Sequence, residues 1–377
     1  MTHVRVFCIA TFGGLVAACS GDPFRSISEE NQASYPVPPV EPPMRPDPIE
    51  LPTPNLGFAR RGKAQVVAFD AERGTPVAEL SLGRVILDLA QRGRRLFVVS
   101  SDDDLESSRV DAFELRLGEF QAVATSDAYG PNGRLVGLGA RSALLTEDMA
   151  VTWTLLDEGL FSAGPSKALY KPSSCVELER PEPLLFGLSP TGIEAGVPAD
   201  TLHVTRFAGS WVVESSSLPA PDRPASFVTR GSRPGEVSVV RKATGATRFE
   251  LADLGSPPAL QAQPFESVDV PGANGELVAV TTEPTTGRIF ALLGRGADRA
   301  LLVALRSGGA RAEVVTLAGP VESAWLGHEL VATARRVFVA TQVGVEAFEL
   351  AGPREASTLS LCLDFDGAGL SAPITLE

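Results

Sequence analysis

The densest set of oxygen donors in the chain is SSDDDLESSRVD, residues 100–111, which carries Asp102, Asp103, Asp104 and Glu106. Carboxylates so close together are candidate ligands for Ca2+, a hard cation that gathers oxygens. The same run reads equally well as a solvated acidic loop between two strands, and that reading is preferred. Asp364-Phe365-Asp366-Gly367 is a shorter fragment of calcium-loop type, without the distal acidic ligand such a loop needs. Of the histidines, His3 lies at the extreme N-terminus, His203 sits in the strand-like TLHVTRF and His328 in AWLGHEL beside Trp325. His203 is expected to pack or face solvent. His328, close to a strand end, is in a position to face a central cavity, but a structural role is expected. The sequence contains no G-x-S-x-G, no H-E-x-x-H, no P-loop and no EF-hand loop. No catalytic residue and no cofactor are expected from it.

The four cysteines, Cys8, Cys19, Cys175 and Cys362, include no C-x-x-C and no Cys/His cluster, which argues against zinc. Cys175 and Cys362 are a possible disulfide, with two free thiols the equal alternative. A formal net charge of −13 makes nucleic acid an unfavourable partner, because phosphate would be repelled.

Cys19 differs from the rest in its surroundings. Met1–Arg5 is basic, Val6–Ala18 (VFCIATFGGLVAA) is an uncharged and mostly apolar run, and Cys19 closes it. The run is too short to cross a bilayer core, which takes about 20 helical residues, and has the length of a secretory apolar region. Val16-Ala17-Ala18-Cys19 resembles the lipobox of bacterial lipoproteins, with Val where that family most often has Leu. The resemblance implies cleavage before Cys19 and acylation of its thiol and new amino group. Two or three chains, at about 0.8 kcal/mol per buried CH2, anchor stably where one would not. Ser20, in place of an Asp, resembles the outer-membrane sorting pattern. An ordinary cleaved signal peptide and a buried helix are the alternatives, and the helix fits poorly with the proline-rich segment behind it.

Prolines 36, 38, 39, 42, 43, 46, 48, 52 and 54 interrupt both helix and sheet. Residues 19–57 are therefore expected to be a lipidated cysteine and a disordered, polyproline-II-like tether rising about 3.1 Å per residue. A PxxP ligand is the less favoured reading. The domains expected are a signal peptide at 1–18, this tether, and a folded part at 58–377.

The folded part repeats. Strand–turn–strand units read VVAFDAERGTPVAELSLG (66–83), VDAFELRLGEFQAVATS (110–126), VTWTLLDEGLFSAGPS (151–166), LHVTRFAGSWVVESSSL (202–218), VSVVRKATGATRFELADL (237–254), LLVALRSGGARAEVVTLAG (301–319) and VEAFELAGPREASTLSL (345–361). Their spacing averages about 46 residues, the length of a four-stranded propeller blade. RRLFVVSS (94–101) and RRVFVATQ (335–342) are near copies, and the apolar runs suit inner strands covered on both faces. Only Leu56–Lys63 precedes the first unit, so GLSAPITLE (369–377) is the candidate to complete its sheet and close a ring without free edges. The expected fold is an all-β propeller of seven four-stranded blades, with six or eight as alternatives and a pair of β-sandwiches as the competing class. Val67, Asp70, Gly74, Val77, Leu80 and Gly83 resemble the YVTN-type propeller repeat, and the unit is less similar to quinoprotein repeats. Asp70 is expected to hold its turn through backbone amides and Gly74 to supply positive φ.

These features point to a monomeric envelope lipoprotein on the outer membrane, held by lipid on Cys19 and displaying a propeller to a protein or glycan partner. A lactonase-like or quinoprotein-like enzyme is the alternative.

Overall fold

The computed structural model describes residues 55–376 except 93–94, 103–104, 139–140, 148–150, 158, 161, 163–164, 168–173, 179–183, 190–200, 209–210, 219–226, 231–236, 243–247, 254–265, 271–273, 306–311, 322–327, 351–358 and 366–368. Cys19, the signal segment, the tether up to residue 54, Asp103, Asp104, Trp325, Asp366 and Gly367 lie outside the described residues, and the last two residues assigned to the tether, Leu56 and Gly57, already belong to a strand. No described helix is long and apolar enough to cross a membrane.

Antiparallel strands make up the described chain. The first three are β1 (Leu56–Arg61), β2 (Gln65–Asp70) and β3 (Pro76–Ser81). The second sheet is β4 (Val85–Arg92), β5 (Arg95–Ser101), β6 (Arg109–Arg116) and β7 (Glu119–Thr125). The third is β8 (Arg134–Leu138), β9 (Arg141–Glu147), β10 (Val151–Leu156) and β11 (Pro165–Lys167), and the fourth β12 (Ser174–Leu178), β13 (Leu184–Ser189), β14 (Thr201–Ala208) and β15 (Trp211–Leu218). The fifth is β16 (Phe227–Arg230), β17 (Val237–Lys242), β18 (Arg248–Asp253) and β19 (Glu266–Asp269). The sixth is β20 (Glu276–Thr282), β21 (Ile289–Arg295), β22 (Asp298–Ala304) and β23 (Glu313–Thr316), and the seventh β24 (Leu330–Ala332), β25 (Arg336–Ala340), β26 (Val345–Leu350) and β27 (Leu359–Asp364). The last strand, β28 (Leu370–Leu376), returns to pair with β1, so the first sheet is ordered β28-β1-β2-β3.

One edge strand of each sheet touches the corresponding strand of the next, from β28 through β4, β8, β12, β16, β20 and β24 and back to β28. Sheets packed radially about such a closed cycle of inner strands form a β-propeller.

Each repeated unit of the sequence falls in a sheet of its own. Six of them are the outer pair; the fifth, 237–254, is the middle pair β17–β18, its outer strand being β19. The two RR copies begin β5 and β25, the second strands of their sheets. The continuously buried runs correct one expectation. They sit on second and third strands, such as β5 and β21, and not on the innermost ones. A middle strand has a neighbouring sheet on both faces. An innermost strand such as β4 shows one edge to the channel and is buried only in part.

Apolar clusters fill the spaces between sheets. Phe69, for example, packs on Phe338 and Phe365 with ring centroids 6.1 and 5.2 Å apart, joining the first sheet to the seventh. Because every sheet is an antiparallel meander, connections into the inner strands and turns between second and third strands share one end of the ring, here the upper end. Turns between first and second, and between third and fourth strands, share the lower end. Chain entry at Asn55 is at the lower end, where its carbonyl accepts the Ala71 amide at 2.7 Å.

Candidate functional site

The candidate site starts from a carboxylate inside an apolar strand. Asp88 lies in VILDLAQR, β4, and is fully buried. The pairing of β4 with β5 slips between Ile86 and Asp88, leaving Leu87 unpaired, and such a bulge re-aims the side chain that follows it. Arg134 donates from Nη1 to the freed Leu87 carbonyl at 2.6 Å. Asp88 Oδ1 accepts the Leu89 amide at 2.9 Å, and Oδ2 accepts the Leu135 amide of the next sheet at 2.7 Å.

The remaining bond to Asp88 comes from a residue 240 positions away. His328, in the connection just before β24, donates from Nδ1 to Asp88 Oδ1 at 2.5 Å. The imidazole keeps 26% of its surface exposed while the carboxylate keeps none. Burial alone would discharge the ring, but the charge and hydrogen bond of Asp88 outweigh it. Arg134 subtracts from their effect, Glu329 adds to it, and the pKa of His328 ends above the ordinary imidazole value. The neighbouring Glu329 is itself buried. A carboxylate fixed by two amides and holding Nδ1–H is an orienting pair, and it leaves Nε2 as the nitrogen able to exchange protons. Sequence reading gave His328 a structural role, with a place facing a cavity as the lesser alternative, and missed Asp88; an acid inside an apolar run was the available signal.

At the same end of the ring the sixth sheet carries a groove of about 460 Å3 lined by Asn274, Glu276, Arg295, Asp298 and Val321 among others. The loop that begins at Asp102 also opens upward. Asp102 and Glu106 are both exposed, and the Leu105 amide donates to the Asp102 carbonyl at 3.0 Å. Among the described residues no three His, Cys, Asp or Glu side chains are gathered to hold a metal.

The other expected residues are dispersed. His203 is on β14, paired with Gly187 and Ser217, its side chain outside the described residues. Cys362, on the outer strand β27, is a free thiol that donates to the Ala347 carbonyl at 3.2 Å, and burial pushes its pKa up. Cys175 is on β12, an innermost strand of another sheet, and its side chain is not among those described. Phe365 of the Asp364–Gly367 fragment is a core residue. Asp70 does what its position suggested: Oδ1 accepts the Glu72 and Arg73 amides at 2.8 and 3.1 Å, and Gly74 has φ +73. Glu283 does the same work in the EPTTG turn, accepting the Thr285 and Thr286 amides at 2.6 Å and the Thr286 hydroxyl.

No protein-family model matches the chain, and no curated protein sequence matches it. Solved structures do. A functionally unknown protein from Desulfotomaculum acetoxidans superposes with TM-score 0.64 at 9% identity, covering 85% of this chain and 98% of that one. A Bacteroides uniformis protein provisionally named a 6-phosphogluconolactonase gives 0.59 at 10% identity, covering 85% and 99%. AztD from Citrobacter koseri gives 0.50 at 13%, covering 85% and 97%. At such identities the likeness is one of fold, and the fold is the β-propeller.

Proposed function

We propose that this chain is an envelope lipoprotein that displays a seven-bladed propeller as a binding or scaffold surface. The observation that carries this reading is Cys19, which closes an apolar run and opens a tether with nine prolines between residues 36 and 54. The closed cycle of inner strands supports seven blades in a single ring. The reading includes lipid on Cys19, a place on the outer membrane, a monomer, and a protein or glycan partner. The resemblance of residues 67–83 to a YVTN-type repeat belongs to the same proposal. Growth with labelled fatty acid tests the anchor: label enters the wild-type protein and not Cys19→Ala. Equal labelling of both refutes it. Crosslinking in intact envelopes, with Cys19→Ala as control, then identifies the partner.

The Asp88–His328 pair favours a second reading, a propeller hydrolase with His328 as proton acceptor. A lactone is the first substrate to try, given what the Bacteroides uniformis protein is named. Turnover by the wild type that is lost in His328→Gln would establish it and displace the scaffold reading; no turnover across lactones and esters removes it.

A further inference from the structure

The bond between Asp88 and His328 stands at the place where the ring closes. Every innermost strand pairs along one edge only, the other edge facing the channel. The first sheet is the composite one, made from both ends of the propeller sequence, so its inner strand β28 is held by β1 and by what crosses to it from neighbouring sheets. His328 supplies two such crossings. Its carbonyl accepts the Ile374 amide of β28 at 3.1 Å. Its imidazole reaches past β28 to Asp88 on β4, and Asp88 continues to the Leu135 amide of β8. The Gln91 amide adds a bond from β4 to Thr375 Oγ1 of β28 at 3.2 Å. His328 and Asp88 together therefore connect four successive sheets: the seventh, first, second and third.

We propose that His328 is a proton-controlled latch on the ring seam: as imidazolium bound to Asp88 it holds β28 between β24 and β4, and on losing its Nε2 proton it keeps only an uncharged donor to Asp88 and loosens its hold on β28 around Ile374. Among the described residues the charged groups acting on it are few. Asp88 comes from β4, Arg134 from the head of β8, and Glu329 is its own neighbour. Strand β28, LSAPITL, contributes no titratable side chain, and the nearest basic group of β1, Arg60, is bound to the Ile86 carbonyl at 3.2 Å. With His328 charged, these acids and bases balance. With His328 neutral, a buried negative charge is left uncompensated, which is costly. A histidine whose pKa is raised by folding contributes its full stabilisation below the ordinary imidazole value, and that contribution fades as pH rises through the raised value. The latch is closed at mildly acidic pH and opens toward alkaline pH. It depends on neither reading of the function above.

Hydrogen exchange of the full chain at pH 6 and pH 9, corrected for intrinsic rates, tests it. Between these pH values the wild type is expected to lose about tenfold protection over Leu370–Leu376, the factor appropriate to one hydrogen bond to a charged group, while β21 and β22 hold theirs. In His328→Gln, which keeps a donor but cannot titrate, the seam is expected to exchange alike at both pH values. Unchanged protection of β28 in the wild type overturns the proposal, as does an equal pH response in His328→Gln or a loss spread evenly over all sheets. If His328→Gln does not fold, the wild-type contrast between β28 and β21–β22 decides alone.

Discussion

Gly57 offers the sharpest test of how the first sheet is packed. It lies on β1 directly across from Phe69 on β2. A Cβ at Gly57 would stand 2.3, 2.5 and 2.9 Å from three ring atoms of Phe69, where ordinary contacts begin at 3.4 Å. The ring would have to retreat by about 1 Å, the shortfall between that contact and the shortest of these distances. It has nowhere to go, being fully buried and flanked by Phe338 and Phe365. Gly57→Ala therefore overpacks a closed space, a change that costs about 1–3 kcal/mol, and the immobility of this ring puts the expected value in the upper half of that range. Guanidinium unfolding of the wild type, Gly57→Ala, Phe69→Leu and the double variant measures it. Phe69→Leu is destabilising by itself, by less than the ~3–5 kcal/mol of a Phe→Ala change. In that background the added methyl meets a shorter, bendable side chain. Alanine also costs less conformational entropy than glycine in a strand, by roughly 0.5–1 kcal/mol. The double variant should thus be nearly as stable as Phe69→Leu alone, and the two changes should be strongly non-additive. If Gly57→Ala cost the same in both backgrounds, or less than about 0.5 kcal/mol in the wild type, Phe69 would not be the obstacle and the packing argument would fail.

Three further outcomes rest on single side chains. Leu117 is fully exposed with φ 53 in the β6–β7 turn, a conformation that costs an ordinary residue about 1–2 kcal/mol; Leu117→Asn should raise stability by about 0.5–1 kcal/mol in chemical unfolding. Burial opposes the charge of Glu283, yet the Thr286 hydroxyl and the Thr285 and Thr286 amides win and hold its pKa below the usual carboxylate value. Glu283→Gln should therefore cost about 1–3 kcal/mol at neutral pH, and the gap to wild type, complete above the ordinary Glu value, should close as pH falls through the lowered one. Thiol titration of the denatured, unreduced chain lacking residues 1–19 should find two reactive groups, Cys175 and Cys362, with Cys362 reacting more slowly in the folded chain because burial keeps its thiol protonated; zero thiols would mean that the two are paired.

Much of the architecture is written in local pattern. A hairpin needs only alternation, a turn and a second strand, and each of the repeated units is one. The closing strand GLSAPITLE was legible because the first unit lacked a partner at one edge. What local pattern does not carry is a hairpin's place within its sheet: VSVVRKATGATRFELADL reads like the others, yet it is a middle pair, since β–turn–β looks the same wherever it sits. Burial misleads in the same way. RLFVVSS is covered on both faces because it is the second strand of its sheet, whereas VILDLAQR is nearer the axis and less covered. The Asp88–His328 contact was beyond reach for a different reason. It joins residues 240 apart, and nothing near either one specifies the other; only ring closure brings them together.

Ring closure also gives charged residues a particular use. Interfaces between sheets are apolar, and apolar contact alone lets one flat sheet slide on another. At several interfaces a charged side chain crosses to a backbone group of the neighbouring sheet. Arg60 bonds the Ile86 carbonyl, Arg134 the Leu87 carbonyl, and Arg336 the Ala71 and Glu72 carbonyls. Glu346 accepts the Ala318 amide, Glu313 the Leu359 amide and Asp88 the Leu135 amide. Each such bond is directional and fixes one sheet's height against the next, as the hydrophobic term cannot. Arginine stays charged throughout the neutral range, and an ordinary glutamate has lost its proton well below it. Asp88 differs by sharing its carboxylate with a histidine, His328, the side chain whose charge changes nearest neutrality. Of these pins, it is therefore the one whose strength is set by a proton in that range, and it sits where the ring closes.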